Sequence, residues 1–263
     1  MPEVDPEEVL SRPAEGPDVI VRYAEHADGL IDVFLPPSLG RPARRTRLIF
    51  AVHGGFWRQN FDRRHLRPLA NALAARGFVV ALPEYRRVNG SPGWPLPGDD
   101  VAAALAAAPA LVEAAAPGRL AADEPCILTG HSAGGHLAMW AGLRAGRQRV
   151  SRVVALAPVS DLAYGARTKM GNGAVLDLMG GGPDDEPERY AEADVLAMLP
   201  GDVPVTIIQG TQDKQVTVLM NRQLAARFPS LTYVECEGVE HFALIDPLSG
   251  AFETEVLSAL TGD

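Results

Sequence analysis

The chain has 263 residues, of which 47% are hydrophobic and 22% charged, a composition ordinary for a globular protein with one substantial core. Its formal net charge at pH 7 is -9, and the acidic residues are spread along the chain. This charge argues against a surface that attracts nucleic acid or anionic lipid. We therefore expect a single domain over residues 1–263, with a small molecule as its substrate.

The N-terminal residues 1–17 are rich in proline and glutamate, and they predict a tail outside the core. They lack the order of basic and then apolar residues that marks a signal peptide. No apolar run approaches the roughly 20 residues of a membrane helix. Cys126 and Cys236 have no metal or redox spacing, and we interpret both as reduced core residues. The expectation is a cytoplasmic protein, a monomer or homodimer, with no nucleic-acid or membrane partner.

In chain order, the sequence first predicts a hairpin of two strand-like runs joined by Asp28-Gly29. Continuous apolar runs, typical of strands covered on both faces, then alternate with stretches of helical period. The predicted strands lie at 19–23, 30–35, 47–52, 78–82, 126–129, 150–156, 204–209 and 231–236. The predicted helices lie at 62–76, 99–116, 135–143, 216–228 and 251–260. Pro109 is expected to kink or split the second helix.

This alternation predicts an α/β fold, with a mainly parallel sheet, helices on both faces and an antiparallel hairpin at one edge. One stretch, 161–200, has no clear hydrophobic period, and we predict that it is irregular. Its glycine groups, Gly171-Asn172-Gly173 and Gly180-Gly181-Gly182, suggest a mobile lid. We expect this stretch to be a small cap or lid inserted into the domain.

The strongest chemical signal is Gly130-His131-Ser132-Ala133-Gly134, a G-x-S-x-G pattern between a predicted strand and a predicted helix. The glycines permit a tight turn that lifts the serine clear of the sheet. The helix N-terminus directs amides and partial positive charge toward a developing oxyanion. Ser132 is the predicted nucleophile.

A serine nucleophile needs a base and a group that orients the base. Asp213 and His241 follow Ser132 in chain order, and each lies just past the end of a predicted strand. They are the predicted acid and base. Asp161, which follows an earlier strand, is the alternative acid.

The predicted oxyanion hole combines the Ala133 amide with donors from the loop His53-Gly54-Gly55-Phe56-Trp57. Gly55 or Phe56 would supply the donor, and Gly54 would shape the loop. Phe56, Trp57 and Trp94 are candidate walls of the substrate pocket, although Trp94 fits the core under its loop equally well. No cluster of metal ligands is visible, and no cofactor is expected.

Together, His53-Gly54-Gly55-Phe56-Trp57 and the elbow sequence 130–137 resemble the α/β-hydrolase superfamily, and within it the serine-dependent kynurenine formamidases and related carboxylesterases. The resemblance implies an α/β-hydrolase fold with an eight-stranded, mostly parallel sheet. It also implies acyl transfer from a small ester or an N-formyl arylamine through an acyl-enzyme. The alternatives are a tailoring hydrolase or thioesterase of specialised metabolism, and a pseudoenzyme that binds a ligand without turnover.

Overall fold

The apolar runs of the sequence form the strands of one sheet. The computed structural model describes residues 7–37, 45–88, 93–121 and 123–262. The strands found there are β1 (Val19–Arg22), β2 (Leu30–Phe34), β3 (Leu48–Val52), β4 (Val79–Pro83), β5 (Cys126–His131), β6 (Val150–Leu156), β7 (Val205–Gly210) and β8 (Thr232–Cys236). Their order across the sheet is β1-β2-β4-β3-β5-β6-β7-β8. Pairing is antiparallel from β1 through β2 to β4 and parallel elsewhere, which confirms the predicted fold class.

Helices pack on both faces of the sheet, because alternate residues of each central strand point to opposite sides. In β3, Leu48, Phe50 and Val52 enter one buried cluster, while Ile49 and Ala51 enter the other. The helices are α1 (Glu8–Ser11), α2 (Arg67–Ala75), α3 (Leu96–Ala115), α4 (Ala133–Ala145), α5 (Leu162–Arg167), α6 (Met170–Met179), α7 (Pro187–Ala193), α8 (Val218–Arg227) and α9 (Leu257–Thr261). Short 3-10 turns lie at Arg63–Leu66, Leu196–Met198 and Phe242–Ile245, and a π turn at Phe252–Val256 precedes α9.

The expected break at Pro109 does not divide α3, which is one helix with the proline inside it. Val101 and Leu105 before the proline and Val112 after it are all buried in the same cluster. This continuous apolar side holds both halves against the sheet and offsets the hydrogen bond that proline cannot donate.

Residues 161–200 are largely helical, which corrects the irregular stretch expected from the sequence. They contain α5, α6 and α7. We keep the name cap for residues 161–200, and their motion as a lid stays a prediction. Three buried side chains outside the cap donate hydrogen bonds into α7: Trp94 Nε1 to Glu192 Oε2 at 3.1 Å, Trp140 Nε1 to Glu192 O at 2.8 Å, and His136 Nε2 to Ala193 O at 2.9 Å. Val175 and Leu178 of the cap join the core itself. α6 was not apparent in the sequence because left-handed backbone at 171–173 interrupts its apolar period, and α5 and α7 are only 6 and 7 residues long.

The segment at residues 7–17 is more closely attached than a tail. Val9 on α1 is buried in the same cluster as α2, and Arg12 forms an ion pair with Asp246 near the other end of the chain. Residues 1–6 of the predicted tail lie outside the described residues. These contacts bring α1 to the carboxyl edge of the sheet, where the candidate site lies.

Both cysteines, Cys126 and Cys236, are free and buried, as predicted. Burial raises the pKa of the Cys126 thiol to about 12 and that of the Cys236 thiol to about 11. Within the described ranges, no helix combines the length and apolarity needed to cross a membrane.

Candidate active site

Ser132 lies at the junction of β5 and α4 with φ of 57° and ψ of -121°, a conformation that L-residues rarely adopt. The two flanking glycines make the junction possible. A Cβ at Gly130 would lie 2.2 Å from Gly134 O, and a Cβ at Gly134 would lie 2.3 Å from the carbonyl oxygens of Val52 and His53. The strand, turn and helix predicted around Ser132 are therefore present, and their close packing requires glycine at both positions.

Backbone hydrogen bonds fix this turn. The Ser132 amide donates to Leu156 O at 2.8 Å, and the Val159 amide donates to Ser132 O at 3.2 Å. At the start of α4, the Ala133 amide donates to no acceptor in the described parts of the chain. An uncommitted amide at a helix N-terminus, beside a serine hydroxyl, is a suitable donor to a developing oxyanion.

The loop after β3 approaches Ser132 from the neighbouring strand. Phe56 and Trp57 both have left-handed backbone, with φ of 52° and 55°. No acceptor for the amides of Gly55 and Phe56 is found among the described residues. The loop thus leaves amides available beside the serine, and the assignment of particular oxyanion donors stays a prediction.

Asp213 and His241 form a buried pair past the carboxyl ends of β7 and β8. His241 Nδ1 donates to Asp213 Oδ2 at 2.6 Å. The other oxygen, Oδ1, accepts hydrogen bonds from the amides of Gln215 and Val216, both at 2.8 Å. Because Nδ1 carries the proton that points to the carboxylate, the ring's Nε2 is the nitrogen left to act as a base.

Ser132 and His241 line one cavity of about 240 Å³. No hydrogen bond joins Ser132 Oγ to His241, and such contacts are often long before a substrate binds. His131 supports the position of His241: its Nε2 donates to His241 O at 3.1 Å, and the two ring centroids lie 4.3 Å apart. The sequence-predicted serine, acid and histidine are therefore brought to one place.

The cavity wall is largely apolar and aromatic. Its lining residues are Glu7, Leu10, Gly55, Phe56, Phe61, His65, His131, Ser132, Gln215, His241 and Phe242. Burial, together with the charge of nearby His53, lowers the pKa of His65 to about 3. Burial also holds the pKa of His131 well below its ordinary value. Both rings are uncharged at neutral pH, and Glu7 is an acidic residue in the same wall.

Of the three predicted pocket aromatics, only Phe56 lines this cavity. Trp57 and Trp94 are almost completely buried, and they pack edge-on against His136 in the core. The alternative acid Asp161 caps α5, where its carboxylate accepts from the Tyr164 amide at 2.8 Å. Sequence reasoning missed Leu10, Phe61, His65 and Phe242, which carry no motif.

Beneath the 53–57 loop lies a buried charged group centred on Glu84. Its carboxylate meets His53 Nε2 at 2.7 Å, the Arg63 amide at 3.1 Å and the Arg87 guanidinium at 3.4 Å. Burial alone raises the pKa of Glu84, but the hydrogen bond and charge of His53, with Arg87 and the Arg63 amide, outweigh it and lower the pKa to about 2. The charged form of Glu84 therefore stabilises the loop. In the described residues, no group of His, Cys, Asp and Glu could hold a metal ion.

The chain matches one protein-family model and resembles several solved structures in fold. The model of the family described as BD-FAE matches residues 31–228, a stretch that contains Ser132 and Asp213 and ends before His241. No curated protein matches the chain by sequence.

Three solved structures illustrate the shared fold. Esterase B from Lactobacillus Rhamnosis (HN001) is 20% identical with a TM-score of 0.76, over 98% of this chain and 90% of that chain. A truncated carbohydrate esterase from gut microbiota is 19% identical with a TM-score of 0.73, over 95% of this chain and 100% of that one. A putative thioesterase from silicibacter sp. tm1040 is 23% identical with a TM-score of 0.68, over 97% and 88%. Together with the eight-stranded sheet, they establish the α/β-hydrolase fold.

The Glu84 carboxylate gives a pH-dependent prediction. The pKa of Glu84 is about 2 in the folded state and 4.5 ordinarily. The charged carboxylate therefore stabilises the folded protein fully above pH 4.5, and this contribution is lost as the pH falls toward 2. Glu84→Gln should lower the free energy of unfolding by about 3 kcal/mol at pH 7. The deficit should shrink below pH 4.5, as measured by denaturant unfolding across pH.

Glu124→Gln is the matched control, because Glu124 is half-exposed in its ion pair with Arg47. We expect it to change stability little at any pH. A Glu84→Gln deficit that is the same at pH 7 and pH 3 would contradict the assignment.

Proposed function

The chain belongs to the BD-FAE family, and on that basis we propose that it is a serine hydrolase that cleaves small carboxylic esters through an acyl-enzyme on Ser132. The observation that carries the proposal is the meeting in one cavity of Ser132, on its strained turn, with His241, whose ring is held from behind by Asp213. A serine at such a junction is exposed to a substrate, and the paired histidine supplies the base that it needs.

Each group has a defined role in the proposed reaction. His241 Nε2 takes the proton from Ser132 Oγ while Asp213 holds Nδ1 and stabilises the charged ring. The alkoxide attacks the ester carbonyl, and the Ala133 amide with an amide of the 53–57 loop stabilises the tetrahedral oxyanion. Each such donor contributes about 3 kcal/mol to lowering the barrier. His241 then protonates the leaving alcohol, and water hydrolyses the acyl-enzyme by the same steps.

The cavity indicates the kind of ester. Its volume of about 240 Å³ is below the roughly 300 Å³ at which pockets for drug-sized ligands begin, so it suits a short acyl group. The phenylalanine side chains and the uncharged rings of His65 and His131 favour a neutral substrate group, and the acidic Glu7 disfavours an anionic one. The names of two structural neighbours, esterase B and a carbohydrate esterase, support an ester bond.

The same apparatus would attack an N-formyl arylamine or a thioester, since the reacting carbon is an acyl carbon in all three. The Phe56-Trp57 sequence that resembles kynurenine formamidases supports the first, and the putative thioesterase among the structural neighbours supports the second. The experiment compares kcat/KM for p-nitrophenyl acetate and butyrate with kcat/KM for N-formylkynurenine and for a short acyl thioester. We propose that kcat/KM is highest for the esters.

The role of Ser132 gives a direct prediction. Ser132→Ala should abolish ester turnover, because Ser132 carries the one hydroxyl or thiol among the described residues that line the cavity. It should leave the melting temperature within about 3 °C of wild type, since it deletes one oxygen from a folded turn. Steady-state assays with p-nitrophenyl butyrate and a thermal melt measure both.

Two results would sink this proposal. One is residual turnover in Ser132→Ala comparable to that of wild type. The other is a wild-type protein that is folded and inactive on esters, thioesters and formyl amides alike, which would leave the ligand-binding alternative.

The position of α1 gives a prediction about acyl length. Leu10 lines the cavity together with Phe56 and Phe61, and Leu10→Ala removes part of that wall. The ratio of kcat/KM for hexanoate over acetate esters should rise about tenfold, within the range expected for such a change in an apolar pocket. Leu248→Ala is the matched control, because Leu248 is 79% exposed and lies outside the cavity. If the hexanoate-to-acetate ratio of kcat/KM is the same in the two variants, α1 does not contribute to the choice of acyl length.

A further inference from the structure

A chain of buried polar side chains leads away from Asp213 into the protein interior. It runs from Ser160, after β6, through Asn221 on α8 to Gln209 on β7, and it ends at the Asp213 carboxylate. Ser160, Asn221 and Gln209 are each no more than 1% exposed. None of the three lines the catalytic cavity, and the reaction described above uses none of them.

The Asp213 carboxylate has all four of its lone-pair sites occupied. Oδ1 accepts the amides of Gln215 and Val216, and Oδ2 accepts His241 Nδ1. The fourth hydrogen bond comes from Gln209 Nε2, at 3.0 Å from Oδ2. Gln209 therefore donates to the same oxygen that holds His241, and among the described residues no other side chain besides His241 does so.

The orientation of the Gln209 amide is determined by its neighbours. Asn221 Nδ2 donates at 3.1 Å to the carbonyl of Pro158, an oxygen that can only accept. The same nitrogen donates at 2.7 Å to Gln209 Oε1, which turns Gln209 Nε2 toward Asp213. The Ser160 hydroxyl donates at 2.6 Å to Asn221 Oδ1 and occupies the remaining side of that amide. Pro158 O and Asp213 Oδ2 can only accept hydrogen bonds. They therefore determine which way the amides of Asn221 and Gln209 are turned.

We propose that Gln209, held by Asn221 and Ser160, is a positioning residue that keeps Asp213 Oδ2 directed at His241. This inference rests on the proposed function only for its kinetic consequence. Without the Gln209 donor, the carboxylate keeps its two backbone partners on Oδ1 but is free to rotate Oδ2 away from the ring. His241 would then lose the tautomer and orientation that leave Nε2 available as base.

Gln209→Met tests the proposal, because methionine has a similar length and no amide. We expect kcat for an activated aryl ester to fall about tenfold with KM within about twofold of wild type. In an Asp213→Asn background, Gln209→Met should change kcat by less than about twofold, because the carboxylate through which Gln209 acts is already absent. Gln212→Met is the matched control: Gln212 is an exposed residue next to Asp213, and its side chain is not among the described donors to the Asp213 carboxylate.

A readout independent of turnover separates this proposal from the proposed function. The downfield proton resonance of the His241 Nδ1–H bond to Asp213 should shift or broaden in Gln209→Met and stay unchanged in Gln212→Met. If wild type has no hydrolase activity, the proposed function fails and the resonance alone decides the positioning role.

Three results would overturn the positioning role: an unchanged kcat and resonance in Gln209→Met, an equal loss of kcat in the wild-type and Asp213→Asn backgrounds, or a change in KM alone. If Gln209→Met does not fold, Ser160→Ala takes its place, because it deletes only the hydroxyl at the far end of the chain. It should lower kcat about threefold in the wild-type background and have no effect in Asp213→Asn. An equal effect in both backgrounds would show a general structural role.

Discussion

The left-handed backbone of Ser132 is the constraint on which the rest of the site depends. A residue with φ of 57° between a strand and a helix persists only where the surroundings hold it. Here the start of α4 packs so closely against the end of β3 that a Cβ at Gly134 would lie 2.3 Å from the carbonyl oxygens of Val52 and His53. The same packing brings the 53–57 loop beside Ser132, and the first amide of α4, which we propose as an oxyanion donor, follows Ser132 directly. The strain and the catalytic geometry therefore have one cause.

Two buried polar groups support the two sides of this site from below. Glu84, with His53, Arg63 and Arg87, lies under the loop that carries Phe56. Gln209 and Asn221 lie under Asp213 on the opposite side of the sheet's centre. A buried polar atom without a hydrogen-bond partner raises the free energy of the folded state, so a network whose atoms are paired favours one arrangement. Such networks fix the positions of the 53–57 loop and of Asp213 without adding polar side chains to the cavity.

The sequence predicted the sheet because strands covered on both faces, such as β3 and β5, must be continuously apolar. It predicted Ser132, Asp213 and His241 because glycine spacing and chain order restrict the choices. It could not distinguish whether Trp57 and Trp94 face the cavity or the core, since an aromatic residue beside a loop has the same local pattern in either case. Leu10 was missed because it lines the cavity beside residues that are distant in the chain, such as Phe56 and Ser132. Gln209 was missed because a polar residue inside a strand has no motif.

The central claim is that Ser132 is a nucleophile activated by its surroundings, and covalent labelling tests it most directly. The folded protein is treated with a fluorophosphonate, and the modified peptide is identified by mass spectrometry. The account predicts stoichiometric labelling at Ser132, with markedly slower labelling in Asp213→Asn. Folded protein that does not react, or that reacts at another serine, would contradict it.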